Sequence, residues 1–212
     1  ATWEAPLQAL SLRFLLAFPS SCEPHLCEAV RCKLDSSSLR VLDLGFFSRW
    51  PHALWATLAS SGARLLVLRV QCFSGDEQFS VRLRSTLTQL PSLIELSVHL
   101  SGCYVASLLA DFFASTPSCT IRKLVITTDS EPAKENWQLL INALKSSLVS
   151  TFELQFSRGS VEVEQIAQAA VAEGFFSHLV FNGRTTVSAV AERNQMRLVQ
   201  CSRLCAALVA LR

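Results

Sequence analysis

Charge is scarce in this chain: 17 % of its 212 residues are ionic, and the two signs nearly cancel to a net +2. A balance so close to neutral favours neither nucleic acid nor an anionic membrane surface as a partner. Glycine is scarce too, with seven residues and no Gly-rich loop. The phosphate-cradling turns and sharp nucleophile elbows that need glycine therefore have little to be built from. Apolar runs are short. The longest, Leu204 to Leu211, falls far below the roughly 18 residues of a membrane-spanning helix. No Ser-His-Asp or His-Glu-x-x-His grouping appears, and His52, His99 and His178 stand isolated along the chain. These absences lead us to expect no enzyme, no cofactor, no metal and no small-molecule substrate.

The N-terminus, Ala1-Thr2-Trp3-Glu4, carries no initiator Met, basic leader or signal-like apolar segment. The first apolar segment follows almost at once with no polar cap ahead of it, so we expect a piece of a longer protein. Asn136, Asn142, Asn182 and Asn194 all lack the Ser/Thr two positions on that N-glycosylation requires. The eight cysteines include several at helix-like spacing among apolar residues. They read as buried thiols in a reducing, cytoplasmic setting rather than as a disulfide framework. Cys22, His25, Cys27 and Cys32 suggest zinc, but the spacing lacks the paired Cys-x-x-Cys knuckles of common structural sites. A first helix over residues 24–33 would put Cys27 and Cys32 on different faces.

What the chain has in abundance is repetition. Half its residues are hydrophobic, and seven segments carry Leu-x-x-Leu-x-Leu or a close variant. They are Leu7-Leu10-Leu12, Leu39-Leu42-Leu44, Leu65-Leu68-Val70, Leu93-Leu96-Val98, Ile121-Leu124-Ile126, Thr151-Leu154-Phe156 and Phe176-Leu179-Phe181. Their starts differ by 32, 26, 28, 28, 30 and 25 positions. A period in that range marks a stacked array, in which each unit buries its apolar face only against its neighbours.

Between segments the periodicity turns helical. Val105, Leu108, Leu109, Phe112 and Phe113 follow the i, i+3, i+4 rule, as do Trp137, Leu140, Ile141 and Leu144. A third helical stretch follows Pro51, and a fourth runs from Val161 to Ala170. Strands joined through helices must pair in parallel, with right-handed crossovers. Strands need about 4.8 Å of lateral room and helices about 10 Å, so such a stack bends with its strands inside. We therefore expect an α/β solenoid: a horseshoe with a concave parallel sheet, convex helices and about seven irregular repeats, forming one domain over residues 1–212.

Leu39-Arg40-Val41-Leu42-Asp43-Leu44 and Leu93-Ile94-Glu95-Leu96-Ser97-Val98 resemble the strand half of leucine-rich repeats. With the period near 28 and the helical return, the chain resembles the ribonuclease-inhibitor-like class, also seen in F-box/leucine-rich-repeat proteins and nucleotide-binding immune receptors. The family usually places Asn or Cys three positions after the last strand leucine. Here those positions hold Leu15, Phe47, Phe73, Ser101, Asp129, Gly159 and Arg184, so irregular turns are expected. The resemblance implies a protein-binding module, the recognition end of a larger intracellular protein such as a ubiquitin-ligase adaptor or a sensor. A GTPase activator, a nuclease inhibitor and a secreted ectodomain are the alternatives.

Strand alternation sends the residues between the leucines to the concave face. The partner-binding candidates there are Arg69, Glu95, His99, Lys123, Glu153 and His178. Glu95, Lys123 and Glu153 hold the third position of consecutive segments and are expected side by side, as a charged patch or a ladder of ion pairs. Finally, residues 185–212 read as one basic helix, with Val187, Val190, Leu198, Cys201, Cys205 and Leu208 along one side, capping the open end of the array.

Overall fold

A computed structural model describes residues 8–13, 23–35, 39–47, 52–72, 77–100, 105–116, 119–128, 133–156, 165–166, 168–170, 176, 178–181 and 184–187. The elements alternate along the chain: β1 (Ala9–Arg13), α1 (Glu23–Asp35), β2 (Val41–Phe47), α2 (His52–Ser61), β3 (Val67–Cys72), α3 (Glu77–Leu87), β4 (Glu95–Leu100), α4 (Val105–Ser115), β5 (Lys123–Thr128), α5 (Lys134–Lys145), β6 (Thr151–Phe156), β7 (His178–Phe181) and β8 (Arg184–Val187). All the strands join one sheet in chain order, with β1 to β7 parallel and β8 antiparallel to β7.

The apolar signature maps directly onto this sheet. Leu42, Leu68, Leu96, Leu124, Phe152 and Leu179 lie in register across six strands and are buried. Leu44, Val70, Val98, Ile126 and Leu154 make a second buried row two residues on. Opposite them, each helix turns in one stripe: Phe79, Leu83 and Leu87 from α3, and Trp137, Leu140, Ile141 and Leu144 from α5. Consecutive helices pack on one another and form a layer on one side of the sheet. Cys27 is buried in that layer and Cys32 is exposed, so α1 does present the two thiols on different faces.

The units are joined by a repeated backbone device. The carbonyls of Gln8, Arg40, Leu66, Ile94 and Arg122 each accept N–H bonds from two successive residues of the next unit, for example from Arg122 at 2.8 Å and Lys123 at 3.1 Å onto Ile94. Helix ends are closed by side chains where the sequence offers them. The Ser146 and Ser147 hydroxyls donate to the Ala143 and Leu144 carbonyls at 2.9 and 2.8 Å, and Val149 N–H returns to Ser147 Oγ. Gly62 closes α2 in a short 3-10 turn, Gly62–Arg64, where a Cβ would lie 2.6 Å from Leu90 Cδ2.

Two expectations are corrected by the register. The sixth segment does not begin at Thr151: Phe152 pairs with Leu124 and Leu154 with Ile126, so its buried set is Val149-Phe152-Leu154. Phe152, Leu154 and Phe156 alternate at period two and fit either frame by eye. Burial of Val149 and Phe152, with Thr151 half-exposed, decides it. The starts then become 28 positions after Ile121 and 27 before Phe176.

The second correction is at the C-terminal end, where Thr185–Val187 belong to β8 rather than to the first turn of a helix. Asn182-Gly183 between two β-favourable segments was the available signal, since Asn-Gly favours a two-residue hairpin. The remainder of the expected capping helix, residues 188–212, lies outside the described residues, as does Leu7. Of the helix expected from Val161 to Ala170, residues 165–166 and 168–170 are described and helical.

Candidate functional site

The sheet has one face under the helices and one face outward, and the outward face gathers the polar residues of every unit. Three outer rows cross the strands. The first runs Ala9, Val41, Val67, Glu95, Lys123, Thr151, His178. The second runs Ser11, Asp43, Arg69, Ser97, Val125, Glu153, Val180. The third contains Gln71, His99, Thr127 and Gln155. These side chains are mostly half-buried, wedged between neighbours rather than standing free in water.

Four of the six candidates form two local arrangements. Arg69 donates through Nε and a terminal nitrogen to one Glu95 oxygen, at 3.4 and 3.1 Å. Lys123 Nζ lies 3.6 Å from the other Glu95 oxygen. Glu95 is the most sheltered of the three, at 18 % exposure against 43 % for Arg69 and 40 % for Lys123. One carboxylate thus serves two cations, and the cluster carries a net positive charge. Exposed ion pairs of this kind contribute at most about 1 kcal/mol each.

Glu153 is placed elsewhere than expected. It pairs in register with Val125, while Thr151 faces Lys123. The frame shift in the sixth segment moves Glu153 into the middle row, so the three-residue ladder Glu95–Lys123–Glu153 does not form; the observed triad is Arg69–Glu95–Lys123. Glu153 is held by the Gln155 amide, which donates to Oε1 at 2.7 Å. His99 sits in the third row between Gln71 and Thr127. His178 ends the first row beside Thr151. The six candidates therefore share one face, and neither histidine is part of the charged triad.

Sequence reading missed Asp43, which is 4 % exposed in the middle row and accepts a hydrogen bond from the Ser11 hydroxyl at 3.4 Å. An acidic residue at an outward strand position gave no hint that neighbouring strands would bury it.

No protein-family model, curated protein or solved structure matches this chain.

Away from that face, chemistry among the described residues is sparse. Among the described residues no group of three or more His, Cys, Asp or Glu could hold a metal ion. Among them, too, no helix is long and apolar enough to cross a membrane. A cleft of about 330 Å³ lies between α5 and residues 165–170, lined by Lys134, Gln138, Ile141, Lys145, Gln165 and Ile166 among others. Among the described residues no carboxylate or imidazole lines it, so those residues offer no opposed acid and base for proton transfer. Cys32 and Cys119 are free thiols. Burial pushes the Cys119 thiol above its ordinary value. The Glu28 carboxylate does the same for Cys32 by accepting its hydrogen bond at 3.3 Å. Raised values disfavour the thiolate and argue against a nucleophilic role.

Proposed function

We propose that this chain is a leucine-rich-repeat solenoid of the ribonuclease-inhibitor-like class that binds a protein partner through the concave face of its sheet. One observation carries the reading. Seven parallel strands in chain order bury one face under helices and leave the other lined with Arg69, Glu95, Lys123 and Glu153 among small residues. Such a face offers area and a few charged anchors, which is what protein recognition uses.

The setting we favour is cytoplasmic, as the recognition end of a ligase adaptor or a sensor. The helix-like spacing of several cysteines among apolar residues supports a reducing compartment.

The test is paired capture. The wild-type chain and the Lys123→Glu/Glu153→Lys double variant are used as baits in the same cytoplasmic extract, with Leu139→Glu as a control. Leu139 is 57 % exposed on α5, away from the sheet's outer face. A partner lost with the double reversal and kept with Leu139→Glu, at equal melting temperatures, supports the reading. Equal capture by all three baits refutes it, as does loss that tracks unfolding.

A further inference from the structure

The middle row of the outer face forms a trough. From Arg69 it runs through Ser97 and Val125 to Glu153. Longer side chains stand on both sides of Ser97, Glu95 in the first row and His99 in the third; Val125 has Lys123 on one side and the short Thr127 on the other, while Gln71 and Gln155 stand beside Arg69 and Glu153 opposite the short Val67 and Thr151. Ser97 lies below Glu95 and His99 on its two sides and Val125 lies below Lys123 on one, so the row is a shallow trough deepest at Ser97. At about 3.3 Å per residue the flanking rows stand roughly 13 Å apart between backbones. Once their side chains occupy part of that width, an extended chain fits and a helix of about 10–12 Å diameter does not.

The trough is electrically polar. At one end two cations, Arg69 and Lys123, share the single Glu95 carboxylate and leave one positive charge in surplus. At the other end Glu153 has the neutral Gln155 amide as its partner. Among the described residues no cation lies within ion-pair reach of it. Arg69 and Glu153 are separated by three strand spacings, roughly 14 Å. An extended segment covers that distance in about four residues, and residues i and i+4 of a strand point to the same side.

Resting on the proposed concave-face binding, we infer that this trough takes an extended segment of a partner protein. The segment carries an acidic side chain against Arg69 and a basic one against Glu153, four residues apart, with a small residue over Ser97 and Val125. Opposite charges at the two ends set the direction in which the segment lies and disfavour one with the same sign at both positions.

The experiment is selection from a displayed library of random 12-residue peptides on the whole chain, repeated on Glu153→Lys and Val125→Arg. Folding of each variant is checked by melting temperature. We expect enriched peptides with an acidic and a basic residue four apart, bound at least tenfold more weakly by Glu153→Lys and more weakly in high salt. Selection on Glu153→Lys itself then enriches an acidic residue at the formerly basic position. Peptides lost on Val125→Arg but indifferent to Glu153→Lys overturn the charge pairing and leave concave-face binding standing. Peptides indifferent to both variants overturn the trough and count against the concave face as well. Failure to enrich any peptide over a bare surface overturns the inference.

Discussion

Phe152→Ala tests the register of the sixth unit, on which the placement of Glu153 depends. Phe152 is fully buried, in register with Leu124 and Leu179, and its ring lies 5.5 Å from that of Phe176 at an interplanar angle of 39°. Removing a buried phenylalanine costs about 3–5 kcal/mol. Loss of the ring pair, worth roughly 0.5–1.5 kcal/mol, keeps the expected value off the bottom of that range, at about 4 kcal/mol. With a urea dependence of about 2 kcal/mol per molar, the unfolding midpoint should fall by about 2 M. Thr151→Ala is the matched control: its neighbour in the chain, half-exposed on the outer face, should change stability by no more than about 0.5 kcal/mol. Urea titrations followed by far-ultraviolet circular dichroism and by tryptophan fluorescence measure both. Had the segment begun at Thr151, the order would reverse, with Thr151 inside and Phe152 on the turn. A Phe152 effect below about 1 kcal/mol, or a Thr151 effect as large as that of Phe152, refutes the register.

Glu95→Gln removes the carboxylate that Arg69 and Lys123 share, yet two of the three side chains are over a third exposed. Screening keeps the cost below about 1 kcal/mol, a fall in Tm of no more than about 4 °C that should vanish in 1 M salt; a larger, salt-independent loss would contradict it. Gly62→Ala forces a methyl against Leu90 Cδ2 and should cost about 1–3 kcal/mol. Leu90→Val in the same chain should recover part of that, and strict additivity by urea titration would show that the contact is not the cause. At pH 7.5 both Cys32 and Cys119 should alkylate more slowly than an ordinary exposed thiol, because each has a raised pKa and little thiolate. Glu28→Gln should lower the Cys32 value and accelerate Cys32 alone in iodoacetamide labelling read by mass spectrometry; acceleration of both residues would remove Glu28 as the cause.

Much of the fold was legible because its code is apolar and local. The buried rows from Leu42 to Leu179 and the stripe Trp137-Leu140-Ile141-Leu144 can be read from spacing, since each unit has one way to bury them. Parallel pairing followed from the helical returns. The sixth frame was not legible by eye, because alternation of Phe152, Leu154 and Phe156 satisfies two frames and only packing against Leu124 and Phe176 chooses between them. β8 is hard to read from the sequence because the apolar spacing from Val187 onward also suits a helix, and only Asn182-Gly183 points to a hairpin. The outer face was legible as a set of positions but not as a set of contacts. Arg69 reaching diagonally to Glu95, and Asp43 being sheltered by its neighbours, are consequences of side-chain length and strand spacing that no single segment contains.

The strand that runs backwards has a consequence for how the molecule could change length. From β1 to β6 each edge is the template for the next: the same carbonyl position takes two N–H groups from whatever follows, so a unit duplicated among β2 to β6 would find the bonds it needs already on offer. β8 presents the other pattern, with antiparallel spacing and reversed polarity, and an eighth copy of the unit inserted behind it would meet the wrong edge. Genetic gain or loss of repeats is therefore tolerable in the middle of this sheet and not after the hairpin. An engineer wishing to widen the sheet should add units between β2 and β6 and leave Asn182-Gly183 where it is.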